Sequence, residues 1–216
     1  MNKVFKTLIW PVMAIPLAYL AIEWNTLPEK VAIHYNLTGT ADKFGSKNQL
    51  LIMALILTAV NIGAYLLLRN VYRIDRRKYA TVNKTRLDKI GFAISAFMAA
   101  VLCFIIYNST QVDKKFSTQF IFAGVGLLFA FIGNYIHNIK PNYFAGIRLP
   151  WTLNNEDNWR KTHLLGGKLF FAGGILITVI CLFAPATISV IAFFSITATI
   201  VILPCLYSYR LHKRQN

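Results

Sequence analysis

The sequence predicts an all-α fold. It is a polytopic membrane helix bundle with six transmembrane helices, both ends in the cytoplasm (N-in/C-in), one structured extracytoplasmic loop and one structured cytoplasmic loop. Three observations predict it. The 216 residues are 56% hydrophobic and only 14% charged, where a water-soluble chain carries about a quarter charged residues. The charges cluster, which leaves apolar runs close to the ~20 residues that cross a bilayer. The basic residues also gather on alternate flanks of those runs.

The first run covers residues 4–22 and is interrupted only by Lys6. Trp10, Pro11 and Pro16 lie inside it and no small-residue cleavage pattern follows, so it reads as a retained helix and not as a signal peptide. The second, third and fourth runs cover 50–68, 90–107 and 120–136. The last apolar stretch, 169–209, is too long for one crossing. Pro185 divides it, because an interior proline removes a helix hydrogen bond and clashes with the preceding turn. This gives 169–184 and 188–207 as an antiparallel pair.

Counting Lys and Arg sets the direction. Lys3, Lys6, Arg69, Arg73, Arg76, Arg77, Lys78, Lys84, Arg86, Lys89, Lys140, Arg148, Arg160, Lys161, Lys168, Arg210, Lys213 and Arg214 fall on one side, 18 of the 23. Lys30, Lys43, Lys47, Lys114 and Lys115 fall on the other. The positive-inside rule puts the larger set in the cytoplasm, and an even number of crossings then follows. The net charge of +15 is read the same way, as attraction to anionic lipid. No DNA-binding motif accompanies it, so direct nucleic-acid binding is set aside. Cys103, Cys181 and Cys205 lie in apolar runs and supply neither a disulfide framework nor a metal spacing.

Two segments carry the distinctive polar residues. The outer loop, 23–48, holds His34, Tyr35, Asn36, Gly39 and Asp42. Residues 31–36 alternate and can run extended, while 36–39 and 41–45 read as turns. A partner-facing surface and a loop that only covers the helix ends are both open readings. His34 and Asp42 are too few for a metal site, so no metal or cofactor is expected.

The inner loop, 137–168, is dense in Pro, Asn, Gly and Trp, which suits a fixed irregular loop. Gly146 permits a bend with φ > 0, and Pro150 holds Leu149 extended. Asn154 or Asn155 can cap a helix whose first turn carries Glu156 and Asp157. Trp159, Thr162, His163 and Gly166 share one face of it. A short interfacial helix before the fifth crossing is expected, with Trp151 and Trp159 at headgroup level. Arg148, Trp151, Trp159 and His163 are read either as a binding site at the cytoplasmic mouth or as a plug anchored to lipid phosphate.

The predicted crossings hold no charged residue near their middles. That argues against a proton-coupled transporter, and the chain shows no P-loop, no Ser-His-Asp set and no paired carboxylates for acid–base work. No enzyme activity is expected and no catalytic residue is assigned.

The outer loop resembles the small DUF1648 module on Pro28, His34, Asn36, Gly39 and Asp42, with Tyr35 where that pattern usually has Trp. The inner stretch N-Y-F-A-G-I-R-L-P-W-T-L, followed by W-R-K-T-H, resembles the SdpI family of bacterial membrane proteins, with Leu149 departing at one position. The resemblance divides the chain into a DUF1648-like region, 1–70, and an SdpI-like region, 71–216. It implies an immunity protein of the bacterial cytoplasmic membrane that protects the cell from a secreted membrane-active peptide toxin by binding it. It also implies a cytoplasmic transcriptional repressor as a partner for signalling. On the same grounds Asn142, Gly146, Arg148, Pro150, Trp151, Thr152, Trp159, Thr162 and His163 become the first choice of functional residues. A transporter of small molecules or lipids, or a lipid-acting membrane enzyme using Arg148 and His163, is the alternative. The basic 69–89 segment is read as a loop that docks an acidic partner or anionic lipid.

Overall fold

The computed structural model describes residues 3–36, 39–77, 79–110 and 117–215; Lys78, Lys114 and Lys115 of the charge count lie outside them. Among the described residues six helices are long and apolar enough to cross a membrane: α1 (Lys3–Glu23), α2 (Lys47–Ile74), α3 (Ala80–Ser109), α4 (Thr118–Ile136), α6 (Glu156–Phe183) and α7 (Ala186–Gln215). A five-residue helix, α5 (Pro150–Asn154), precedes α6. The protein is therefore a multi-pass membrane protein. Pro185 separates α6 from α7, as its missing N–H requires. Asn155 is the cap of α6, its side chain accepting from the Asn158 amide at 2.9 Å.

Three local expectations change. The outer segment is not only extended and turn. β1 (Lys30–Tyr35) pairs antiparallel with β2 (Ala41–Ser46), so 41–45 is a strand. Five residues on each side pair, with the register shifting around His34, and the reversal between the strands is closed by the bonds Gly39 N to Asn36 O and Asn36 N to Thr40 O, with Gly39 at φ +79. The bundle is thus all-α except for this hairpin. Second, the 69–89 segment is not a loop. α2 and α3 run far into it and leave only Asp75–Tyr79 between them. At 28 and 30 residues and ~1.5 Å per residue, these helices exceed the ~30 Å hydrocarbon layer by a few turns. Their basic ends project out of it. Third, the expected interfacial helix is not separate, because α6 is one continuous helix from Glu156.

Contacts assign the ends of the bundle. Lys6, Arg69, Arg73 and Lys84 line one cavity, so the start of α1 lies beside the end of α2 and the start of α3. Arg77 bonds to Leu153 O, and Trp151 stacks on His212. The inner loop and the chain end belong to this same basic face. On the opposite face Val31 of the hairpin packs with Leu20, Leu27, Leu50, Ala54, Leu102 and Ile106 from α1, α2, α3 and the segment after α1.

Lipid supplies no hydrophobic drive for helices to associate, so close packing and small residues must do it. The α4–α6 pair does so through Gly126, Ala130 and Gly133 against Gly167 and Gly174. A Cβ on Gly174 would lie 2.4 Å from Ala130 N and from Gly126 O. One on Gly133 would lie 2.5 Å from Phe171 N. These seven-residue spacings place two glycines of each helix on its seam, one every two turns.

Candidate functional site

The basic face is closed by the inner loop, and its geometry follows from buried polar side chains that fasten irregular backbone. Asn142 is fully buried. Its Oδ1 accepts from the amides of Phe144 and Ala145, and its Nδ2 donates to the carbonyls of Lys140 and Ala145. All four capacities of the amide group are used, and they coil 140–145 around one side chain. Arg148 is exposed and folds back to donate to Tyr143 O.

Gly146 has φ +111. The bend brings Ile147 N–H onto His163 Nε2 at 2.9 Å, while His163 Nδ1 lies 2.8 Å from Trp159 O. Nε2 must accept and Nδ1 must donate, which makes the imidazole neutral with its proton on Nδ1. The ring stacks on Trp159, centroids 4.0 Å apart. Trp159 itself is 1% exposed, and its Nε1 donates to Ile139 O at 2.8 Å. It is a core residue packed with Val71, Leu87 and Ile139, not the headgroup anchor expected from its sequence position.

Thr152 Oγ1 accepts from Leu149 N and lies 2.9 Å from the Ile147 and Leu149 carbonyls. Pro150 opens α5 behind an extended Leu149. Trp151 is half-buried and donates to Ser208 Oγ at 2.7 Å. Ser208 Oγ and Thr162 Oγ1 in turn donate to Asn158 Oδ1, while Asn158 Nδ2 donates to Ser208 O. The shared face of α6 is therefore turned inward: Thr162 and His163 are both fully buried.

The sequence reading missed the residues that tie this loop to α2 and α3. Asn83 grips the Lys140 backbone with both ends of its amide, at 2.9 and 2.8 Å. Asp75 accepts from Arg77 N and Tyr143 N. The Arg77 guanidinium donates to Leu153 O, at 2.7 Å, and to Tyr143 Oη and lies over the Tyr143 ring. Tyr79 Oη bonds to Glu156 at 2.9 Å. Nothing in the spacing of these residues announces the contacts, which link positions 57 to 77 apart in sequence. Asn158 could have been found, since it stands four residues before Thr162 on the same helical face.

On the opposite face the structure brings His34 and Asp42 together across the hairpin, Nδ1 against Oδ1. This hydrogen bond holds the Asp42 carboxyl below its ordinary value. Asn36 closes the reversal by accepting from Thr40 N at 2.9 Å. Tyr35 ends β1, where burial raises its phenol above the usual value. Phe44 projects outward. Between the end of α1 and the start of α2 a groove of about 440 Å³ is lined by Leu17, Leu20, Ala21, Trp24, Asn25, Leu51 and Leu55. Among the described residues no three His, Cys, Asp or Glu side chains come together as metal ligands do.

The class defined by this architecture is a six-helix membrane protein with a structured module at each face. Both modules match known families. Residues 12–58 match a domain of unknown function (DUF1648), and residues 138–208 match the SdpI/YfhL protein family. The chain is also similar to the immunity protein SdpI of Bacillus subtilis (strain 168), 23% identical over 199 residues that span 90% of this chain and 89% of that one. No solved structure matches. Residues 138–208 therefore resemble the SdpI/YfhL family, and the similarity to SdpI runs along most of the chain.

Proposed function

We propose that the protein confers immunity, protecting a bacterial cytoplasmic membrane from a secreted membrane-active peptide toxin by binding it. The observation that carries this reading is the similarity to an immunity protein along nearly the whole of both chains, with both modules present. The binding surface is the hairpin face. His34, Tyr35, Asn36, Gly39 and Asp42 form its polar part, and Phe44 with the groove between α1 and α2 supplies an apolar part. A peptide partitioning into the outer leaflet meets this face first. Region 1–70 is then the receiving half and region 71–216 the supporting half.

The inner motif has a different role in this reading. Gly146 makes the bend, and Asn142, Thr152, Trp159, Thr162 and His163 spend their hydrogen bonds within the inner segment, so they maintain its shape. Arg148, Pro150 and Trp151 are left to present a surface to the cytoplasm. A locked neutral His163 offers no free nitrogen for acid–base chemistry, which disfavours the lipid-acting enzyme. Signalling to a cytoplasmic repressor would use the same coupling. α2 and α3 touch the hairpin at one end, and their linker is clamped to the inner loop at the other. The basic helix ends also attract anionic lipid.

The test is expression in a strain killed by the cognate peptide. The wild-type chain raises survival. H34A/D42A and F44A lower it while the protein stays folded in the membrane. No protection against any co-encoded secreted peptide removes the proposal. Recovery of a repressor that does not change with added peptide removes the signalling part alone.

A further inference from the structure

On the basic face, away from the inner loop, a cavity of about 230 Å³ lies between α1, α2 and α3. It is lined by Lys6, Leu66, Arg69, Asn70, Tyr72, Arg73, Lys84 and Asp88. Four cations thus face one carboxylate, and none of the four makes an ion pair with a carboxylate among the described residues. Two of them are fixed in place by Tyr72: Arg73 Nε donates to its hydroxyl at 2.8 Å, and Lys84 Nζ sits 3.9 Å from its ring centroid. Like charges gathered around one cavity repel, and an anion between them relieves that repulsion.

The second observation is Asp88. It is 4% exposed, and its Oδ1 is buried with no hydrogen-bond partner. A buried carboxylate oxygen without a donor is costly. The cavity therefore lacks a negative charge for its cations, and Asp88 in its wall has a carboxylate oxygen for which the structure supplies no donor. A phosphodiester whose head carries an ammonium or a hydroxyl supplies both. Leu66 is 39% exposed on the same wall, so an apolar surface adjoins the polar cavity, as an acylated ligand needs.

We propose that the cavity between Lys6, Arg69, Arg73, Lys84 and Asp88 is a phospholipid headgroup site, in which the basic side chains hold the phosphodiester and Asp88 accepts from a headgroup ammonium or hydroxyl. This goes beyond general attraction of a basic surface for anionic lipid, because it selects headgroup chemistry. It does not depend on the immunity reading.

The test uses the full chain in lipid nanodiscs, with retained lipid counted by native mass spectrometry. Phosphatidylethanolamine and phosphatidylcholine have the same net charge, but only the first has donor hydrogens. Ethanolamine and glycerol headgroups should be retained about tenfold over choline. R69Q/R73Q should abolish that retention, and D88N should bring the ethanolamine-to-choline ratio close to one. R86Q/K89Q removes the same charge beside a different groove and should change nothing. Equal retention of all three lipids overturns the proposal, as does an equal loss in the R86Q/K89Q control. Displacement by millimolar inorganic phosphate or glycerol phosphate also overturns it and assigns the site to a soluble anion. If D88N does not fold, as judged by its elution profile and helicity, the arginine pair and its control still decide the matter.

Discussion

Replacing Gly146 by alanine perturbs the inner loop at its tightest point. The residue sits at φ +111, where an L side chain costs on the order of 1–3 kcal/mol. The new Cβ would lie 2.3 Å from His163 Nε2 and 3.3 Å from the Trp159 ring, so the imidazole must move. That breaks the Ile147–His163 bond, worth about 1 kcal/mol net, and leaves a backbone amide without its partner, at about 1–3 kcal/mol. The total is about 3–7 kcal/mol. For a chain of this size that corresponds to a fall in melting temperature on the order of 10 °C. Thermal unfolding in mild detergent, followed by size-exclusion of the surviving folded fraction, measures it. His163→Ala makes room for the Cβ but leaves the backbone strain, so G146A/H163A should cost less than the two single changes added. A G146A melting temperature within 2 °C of wild type, or strict additivity in the double variant, would refute the reasoning.

Other changes probe the rest of the framework. Gly174→Leu should separate α4 from α6 and give little folded protein on size-exclusion, because even its Cβ would meet backbone atoms at 2.4 Å. Asn83→Ala should destabilise the fold by about 2–3 kcal/mol, since two backbone groups of Lys140 lose their partner; protease access at the inner loop should rise with it. For the hairpin the sign of the pH effect follows from Asp42. Its folded value is lowered, chiefly by the His34 hydrogen bond. The contribution of that bond is present above the ordinary carboxylate range and is lost as pH falls through the lowered value. Carboxyl NMR should find Asp42 below its usual value in the wild type and near it in H34A.

The membrane helices were legible because hydropathy over 20 residues reports where a chain meets lipid, and this needs no knowledge of neighbours. The break at Pro185 and the cap at Asn155 were legible for a similar reason, since both act on backbone within one turn. The family motifs were legible as resemblance, but what their side chains do was not. Trp159 looked like a headgroup anchor because aromatic residues near a membrane edge often are. Its burial depends on Val71 and Leu87 arriving from α2 and α3. The second strand was read as a turn because Asp42 and Gly45 are poor strand formers. Its pairing is secured by β1, and propensity yields to tertiary contacts.

Although α2, α3, α6 and α7 extend well past the apolar runs, the sequence by itself determined how many apolar crossings the chain has, which stretch each one uses and which flanks are basic. These follow from local composition and from backbone chemistry that acts over a few residues. The tertiary structure alone decided that the inner motif is a hydrogen-bonded framework with most of its polar groups turned inward. It also decided that glycines on α4 and α6 form the closest seam and that Asp88 lies buried among four cations. Each of these depends on which side chains meet across long separations in the chain, and close packing sets that only when the helices are in place.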